Sequence, residues 1–251
     1  MNRRFRAALS ALVLSTSALC ALPLAAHAQA PSPAIVAAVA DPARPPAQVA
    51  LDPNRKPAEV LAFAGVKPGM VVAELGSGGG YYTRLLAKTV GPNGKVLAVV
   101  TEAQAARPNG MNGLNAVTAA YPNVTVVTVP SLAGIVLPQK ADLFWTSENY
   151  HDFHNGPTAD IAGMDKAVYD NLKPGGIFYV EDHSAAPGAG LAATSAVHRM
   201  DEAVAKSELM AAGFKLDGES DLLRNPADNR TGSNSEAGHY TTDRFMLRWK
   251  K

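Results

Sequence analysis

Cysteine is almost absent from this sequence of 251 residues. Its one cysteine, Cys20, lies in an N-terminal segment with the features of an export signal, so the chain that remains after cleavage would contain none. This excludes disulfide bonds, a cysteine nucleophile and thiolate metal ligands from the mature protein.

An excess of charge of either sign is also lacking. The whole chain carries 23 basic and 22 acidic residues, and the N-terminal segment contributes three arginines and no acid, which leaves 20 basic and 22 acidic residues in the remainder. No basic stretch is interleaved with aromatic residues. Because nucleic-acid grooves depend on such clusters of positive charge, we predict no nucleic-acid partner.

Residues 1–28 are predicted to be a cleavable signal peptide. Three arginines within the first six residues precede an uncharged run over residues 7–26, and a small-x-small motif marks a cleavage site before Gln29. An uncleaved membrane anchor is the alternative, but the run is rich in alanine and serine and contains Pro23, which favours cleavage. We therefore predict a periplasmic or secreted protein without stable membrane insertion after cleavage.

The rest of the chain divides into two predicted segments. Residues 29–56 are rich in proline and alanine, a composition that predicts an extended arm over the domain, or a tether, and contributes little to a core. Residues 57–251 are predicted to form one domain, because roughly 190 residues suit a single hydrophobic core.

Apolar runs and helical patterns alternate from Met70 onward. The predicted strands cover residues 71–75, 95–100, 124–129, 141–146, 177–181, 214–222 and 243–249, and the predicted helices cover 57–64, 81–88, 111–121, 156–172 and about 195–212. Such alternation predicts a doubly wound α/β domain with a parallel sheet covered on both faces. The last two strands have no helical pattern between them and could pair as a hairpin, and the polar residues 224–240 are predicted to form a mobile loop or flap.

A glycine-rich turn follows the first predicted strand. It does not fit the dinucleotide fingerprint, because the third glycine of that pattern would fall at Tyr81, and it lacks the Gly-Lys-Ser/Thr ending of a P-loop. What is present is a carboxylate followed by alternate glycines, namely Glu74, Gly76, Gly78 and Gly80. Glycines let the backbone approach a ligand closely, and the helix N-terminus that follows offers free N–H groups to negative charge. A turn that binds no ligand is the alternative.

This glycine motif resembles motif I of the class I S-adenosylmethionine (SAM)-dependent methyltransferases. The likeness extends from about residue 57 to the end of the chain, through the segments at 64–70, 94–96 and 172–176. The run Asn-Tyr-His-Asp at residues 149–152 is similar to a pattern in exported bacterial methyltransferase-like proteins. The resemblance implies a Rossmann-like, mostly parallel seven-stranded sheet with an antiparallel last strand, and methyl transfer from SAM. It assigns Glu74, Gly76, Gly78 and Gly80 to the methionine end of the cofactor.

Two positions depart from the family pattern. Family members usually carry an acid at the end of the second strand that binds the ribose hydroxyls, but the corresponding residue here is Val100. Glu102 lies two residues further on and is the predicted substitute in cofactor binding. The acid that often meets the adenine amine after the third strand is replaced by Pro130 and Ser131. Backbone groups could provide either contact.

Polar residues are densest at two predicted strand ends, residues 147–154 and 181–184. Because the carboxyl ends of adjacent parallel strands meet at one edge of a sheet, we expect these residues to face one pocket. A histidine beside a carboxylate suits a general base near neutral pH. The predicted catalytic set is His151, Asp152, Asp182 and His183, with Tyr150 as an aromatic wall for the methyl acceptor. Loop polarity and helix capping are the alternative.

Two further roles stay open for residues of these strand ends and of the helix that follows. A divalent metal could bind His151, His154 and Asp182, since some O-methyltransferases of this class chelate an ion there, but no zinc-type motif is present and we predict no metal. Arg199 either holds an anionic substrate or pairs with Asp201 or Glu202.

The favoured function is SAM-dependent methyl transfer to a small-molecule acceptor. The alternative is a methyltransferase fold that serves outside the cytoplasm as a binding protein or as a SAM-independent, metal-assisted enzyme. Export favours the alternative, because SAM is made and kept inside cells, whereas the intact glycine motif favours methyl transfer.

Overall fold

A seven-stranded sheet forms the centre of the molecule. The structure, a computed structural model, describes residues 30–235 and 238–251, so the predicted signal peptide lies outside the described residues. The strands are β1 (Val71–Leu75), β2 (Lys95–Thr101), β3 (Val124–Val129), β4 (Ala141–Ser147), β5 (Leu172–His183), β6 (Lys215–Ser220) and β7 (Arg244–Lys250).

Parallel pairing joins five of these strands. The order across the sheet is β3-β2-β1-β4-β5-β7-β6, in which the first five strands are parallel and β7 is antiparallel to both of its neighbours. The predicted doubly wound sheet, its antiparallel last strand and the pairing of the last two strands are therefore confirmed. The strand order reverses between β1 and β4, and such a reversal opens a crevice at the carboxyl ends of the strands.

Helices cover both faces of the sheet. They are α1 (Pro33–Val39), α2 (Pro46–Val49), α3 (Asp52–Arg55), α4 (Pro57–Ala64), α5 (Tyr81–Val90), α6 (Glu102–Ala105), α7 (Asn112–Ala120), α8 (Ile161–Asn171), α9 (Ala192–Ala196) and α10 (Glu202–Ala211). Apolar residues of α1, α4, α5 and α7 form one core layer, and those of α8 and α10 contribute to the layer on the opposite face.

The proline-rich segment before residue 57 is helical and packed, which corrects the predicted extended arm or tether. Three of its prolines, Pro33, Pro46 and Pro53, lie in the first turns of α1, α2 and α3, where a missing N–H costs nothing. Ser32 caps α1 by accepting a hydrogen bond from the Ile35 N–H. Ile35 and Ala38, three residues apart, are 2% and 1% exposed and belong to the same core layer as α5.

The helix predicted over about 195–212 is interrupted. Residues 197–201 separate α9 from α10; His198 has a left-handed φ of 51°, and Asp201 caps α10 by accepting from the Ala203 N–H. Arg199 is fully buried and pairs with Asp228 at 2.8 Å, so its partner is neither of the two acids that the sequence suggested.

The polar loop between β6 and β7 packs against the end of β5. Arg224 donates to the Ser184 hydroxyl, and the Asn234 N–H donates to the Val197 carbonyl. The predicted mobility of this loop stays a prediction. Across the described part of the chain, no helix is both long enough and apolar enough to span a membrane.

Candidate active site

The glycine turn between β1 and α5 has the backbone conformation that only glycine adopts readily. Gly76, Gly78 and Gly80 have φ values of 73°, 49° and 77°. A side chain on Gly76 would come within 2.5 Å of Asn149 Cγ, whereas the space beside Gly78 is open. The turn therefore packs tightly against the loop after β4 and leaves free space over its centre.

A first cavity, here called the β2–β3 cavity, has a volume of about 330 Å³. It lies beyond the carboxyl ends of β2 and β3 and is lined there by Thr101, Gln104, Pro130 and Ser131. These are the two strand ends at which the sequence lacks the acids of the family pattern. Hydroxyl, amide and backbone groups replace those acids.

A second cavity, here called the glycine-loop cavity, has a volume of about 370 Å³. Its lining includes the glycine turn at residues 76–79 and the side chains of Arg55, Trp145, Glu148, His239 and Tyr240. Gly76, Asn149 and Asp152 line both cavities, so the two spaces meet where β1 and β4 end.

Glu74 lies at the carboxyl end of β1 and lines the glycine-loop cavity. It is 3% exposed and accepts a hydrogen bond of 2.6 Å from the Thr83 hydroxyl. Burial raises the pKa of Glu74 to about 7, although the Thr83 and Ser77 hydroxyls oppose the shift. This carboxyl group therefore changes its charge near neutral pH.

A buried ion-pair network forms the opposite wall of this cavity. Glu148 accepts from Arg55 at 2.9 Å and from Arg244 at 2.7 Å, and Arg244 also donates to Glu181 at 3.1 Å. Burial alone would raise the pKa of Glu148, but Arg55, His239 and Arg244 outweigh it and hold that pKa well below its usual value. The Arg55 guanidinium also lies 4.3 Å from the centre of the Tyr81 ring.

His239 and His183 lie beside this network. His239 lines the glycine-loop cavity, and its Nε2 is 3.5 Å from Glu148 Oε2. His183 lies behind it, fully buried, with its Nδ1 2.6 Å from Thr242 Oγ1. Because the Thr242 hydroxyl donates to the His239 carbonyl, His183 Nδ1 is the donor, and Nε2 keeps a lone pair that no described residue satisfies. Burial lowers the pKa of His183 to about 4, so its ring is neutral.

His151 belongs to a separate cluster. Asp182 accepts from both the backbone N–H and the ring Nδ1 of His151, at 2.6 Å and 2.8 Å, as the predicted pairing of the two strand ends requires. Burial would lower the pKa of His151, but Asp182 and Asp152 outweigh it and raise that pKa to about 10. The ring is therefore protonated at neutral pH and cannot accept a proton there, which argues against its predicted role as the base.

Of the predicted catalytic residues, only Asp152 lines the cavities; His151, Asp182 and His183 line neither, and nor do Tyr150 and Glu102. Tyr150 is fully buried and donates to Asp165 Oδ2 at 2.9 Å, so it forms no wall for an acceptor. Glu102 is exposed at the start of α6, outside the lining of the β2–β3 cavity, while its neighbours Thr101 and Gln104 line it.

The three ligands of the metal alternative are not brought together. His154 Nε2 lies 3.0 Å from Glu208 Oε2, and its Nδ1 lies 2.9 Å from the Tyr150 carbonyl. Both ring nitrogens of His154 therefore have hydrogen-bond partners, and neither partner is Asp182.

Sequence reasoning missed four residues that line the glycine-loop cavity, namely Arg55, Glu148, His239 and Tyr240. The composition of the proline-rich segment concealed Arg55, and the expected flap concealed His239 and Tyr240. Glu148 stood in the polar run, but the pattern gave no sign that its side chain faces the crevice.

Comparisons with known proteins agree with the fold. Residues 47–130 match the model of the protein-L-isoaspartate(D-aspartate) O-methyltransferase family. A SAM-dependent methyltransferase from Aquifex aeolicus is similar in structure, with a TM-score of 0.57, 18% sequence identity, and coverage of 82% of this chain and 93% of that one. No curated protein sequence matches the chain.

Two further solved structures share the fold. One is 1,6-didemethyltoxoflavin-N1-methyltransferase from Burkholderia thailandensis with bound 1,6-didemethyltoxoflavin and S-adenosylhomocysteine, with a TM-score of 0.54, 17% identity, and coverage of 81% of this chain and 79% of that one. The other is the [4+2]-cyclase SpnF, with a TM-score of 0.58, 14% identity, and coverage of 81% of each chain. The chain therefore has the predicted fold of the SAM-dependent methyltransferases.

Proposed function

We propose that this protein is a SAM-dependent methyltransferase that acts on a small-molecule acceptor. The observation that carries the proposal is the meeting of two cavities at Gly76 and Asn149, beyond the strand-order reversal between β1 and β4. Ligands of open α/β sheets bind at such a reversal. The match of residues 47–130 to a methyltransferase family supports the same reaction class.

The residues present fit a cofactor that extends across both cavities. Gly76, Gly78 and Gly80 would hold its methionine end, because the space beside Gly78 is open. Thr101 and Gln104 in the lining of the β2–β3 cavity would hold the adenosine, with a hydroxyl and an amide in place of the missing acid. Glu102 is then a peripheral contributor at most, because it is exposed outside that lining.

The acceptor occupies the rest of the glycine-loop cavity. Tyr82, Trp145 and Tyr240 give this space aromatic walls, a role that the sequence had given to Tyr150. Its volume of about 370 Å³ lies in the range of small-molecule sites. The similar Burkholderia thailandensis enzyme holds a small heterocyclic molecule and S-adenosylhomocysteine, which supports a small acceptor here.

His239 is the base in this proposal. When bound, SAM supplies a methyl group on a positively charged sulfur. The protein would align the acceptor with that group, and an acceptor O–H or N–H would lose its proton to the His239 ring, whose Nε2 lies beside the Glu148 carboxylate that balances the resulting positive charge. His183 and Asp182 support this wall from behind.

Replacement of the base tests this assignment. With an acceptor that supports turnover, His239→Ala is expected to lose on the order of 10²–10⁴ in rate while its affinity for SAM survives. Full turnover in the variant would show that His239 is not the base.

Calorimetric titration with SAM and S-adenosylhomocysteine tests the cofactor. Gly78→Leu is expected to abolish binding, because the side chain would fill the space over the turn. Gly65→Leu is a matched control: both glycines have a positive φ, 49° and 81°, and both have no atom within 4 Å of the added Cβ, but Gly65 is outside the two cavities. A folded wild-type protein without affinity for SAM at millimolar concentration contradicts the proposal.

A SAM-independent activity or a binding function is the second candidate. It is favoured by the absence of an acid at Val100, which is fully buried, and by the occurrence of the same fold in a [4+2]-cyclase. The same titration separates the two candidates, since this one needs no affinity for SAM.

Export completes the proposal. Residues 1–28 have the charge pattern of a signal peptide, which supports a periplasmic or secreted location. The intact mass of protein recovered from the periplasm should correspond to a chain that begins at Gln29. A mass that includes the first 28 residues would contradict cleavage.

A further inference from the structure

We propose that His151, Asp152 and His198 form a binding site for a divalent transition-metal ion at the junction of the two cavities. The three side chains offer one ligand atom each, and these atoms lie within 4.8 Å of one another. They come from two distant segments, the loop after β4 and the turn between α9 and α10, so no sequence motif would reveal them.

The spacing of the ligand atoms suits a small ion. His151 Nε2 lies 3.3 Å and His198 Nδ1 lies 3.4 Å from Asp152 Oδ1. Ligands that are about 2.0–2.1 Å from a tetrahedral ion are separated from one another by about 3.3–3.4 Å. Two of the three separations already have this value.

Asp182 prepares His151 for this role. It accepts the ring Nδ1–H at 2.8 Å and the backbone N–H at 2.6 Å, which fixes both the orientation of the ring and the tautomer. Metal-bound histidines commonly donate their other ring N–H to a carboxylate in this way. The Nε2–H of the protonated ring lies beside Asp152, and a metal ion would bind Nε2 by displacing this proton.

The local charge also favours a cation. Among the ion pairs of residues 30–235 and 238–251, the partners of Asp152 and Asp182 are histidines, with no lysine or arginine. Two carboxylates would thus balance a doubly charged ion. The cluster of Glu148, His183 and His239 contains similar atoms, but Arg55 and Arg244 engage both oxygens of Glu148 and disfavour a further positive charge.

The ligand types and the location define what the ion would do. Two imidazoles and one carboxylate suit Zn²⁺ and related ions such as Fe²⁺, Co²⁺ and Ni²⁺. Asp152 is half exposed and lines both cavities, so an ion bound to it would lie beside them. This role rests on the proposed function. The ion would hold a hydroxyl or carboxylate oxygen of the acceptor and lower the pKa of an acceptor hydroxyl.

Titration of the purified protein with Zn²⁺ alone tests the site, with stoichiometry from elemental analysis and affinity from calorimetry. We expect one ion per chain. His198→Asn and Asp152→Asn should each weaken binding by at least about tenfold. Asparagine tolerates the left-handed backbone of His198, so this exposed substitution keeps the fold. Binding of Co²⁺ should add a visible absorption band without a thiolate transition.

His239→Asn is the matched control, because it removes a histidine from the rival cluster. Unchanged zinc affinity in this variant, with weakened affinity in the other two, supports the proposal. Three results overturn it: a wild-type protein that binds no zinc, a His198→Asn variant that binds like the wild type, or a loss confined to His239→Asn. The titration contains no SAM and no acceptor, so its outcome is independent of the proposed methyl transfer.

Discussion

The half of the sheet formed by β1, β2 and β3 and the half formed by β4, β5, β6 and β7 build the crevice by different means. In the first half, the glycine turn at residues 76–80 and the loops after β2 and β3 offer mainly backbone groups and small polar side chains. In the second half, histidines, carboxylates and arginines are buried side by side. The second half therefore depends on charge pairing that must be complete.

Completion of that pairing involves both ends of the described chain. Arg55 precedes the whole sheet and Arg244 begins its last sequential strand, and both contact Glu148 in the middle of the chain. A buried carboxylate without such partners would carry a large desolvation cost. The helical N-terminal segment and β7 are therefore parts of the crevice as much as of the core.

Removal of Arg244 is expected to have the largest effect on stability. Arg244→Leu leaves Glu181 without its arginine and Glu148 with only one, although both carboxylates are buried. Loss of one partner of a buried ion pair typically lowers the free energy of unfolding by about 3–5 kcal/mol. Urea denaturation of the variant and the wild type at neutral pH measures this difference in the free energy of unfolding.

Arg248→Leu is the control on the same strand. Arg248 also pairs with a carboxylate, Asp217 at 2.7 Å, but the two side chains are 25% and 32% exposed. Solvent screens this pair, and the hydrogen bond from Arg248 to the Phe63 carbonyl contributes about 1 kcal/mol more, so the expected loss is about 1–2 kcal/mol. Equal losses in the two variants would mean that the buried network contributes no more than a surface pair.

The first half of the sheet was predictable because its signals are local. The run Val71–Leu75, the glycines after it and the helical spacing from Tyr81 are adjacent in sequence, and each follows from a short-range rule. The prediction was wrong for the proline-rich segment, because its composition suggested an extended chain while three of its prolines, Pro33, Pro46 and Pro53, lie in the first turns of helices.

The second half was predictable only in part, because its site depends on contacts between distant segments. Density of polar residues identified the loop after β4, and the pairing of His151 with Asp182 follows from parallel neighbours. The direction of each side chain does not follow from such density. Glu148 reverses the chain with a φ of 59°, and Tyr150, two residues later, lies in the core rather than in the crevice.

A smaller effect is expected in the pH dependence of the free energy of unfolding. It involves two glutamates near the ends of the neighbouring strands β1 and β4, which should change this free energy in opposite directions. Glu74 has its pKa raised to about 7 by burial, whereas Glu148 has its pKa held below its usual value by two arginines and His239. At pH below about 4.5, Glu74 is protonated in both the folded and the unfolded chain. As pH rises from there to about 7, the unfolded chain releases this proton first. The free energy of unfolding therefore falls by about 3 kcal/mol.

Glu74→Gln should remove this titration, so the free energy of unfolding of the variant, relative to the wild type, is expected to rise between about pH 4.5 and pH 7. Glu148→Gln should behave oppositely at acidic pH: the stabilisation from a depressed pKa is lost as pH falls, so its deficit relative to the wild type should shrink below about pH 4.5. Chemical denaturation of both variants from about pH 3 to about pH 7 measures the two slopes. Slopes of the same sign would show that the arginines do not distinguish the two carboxyl groups.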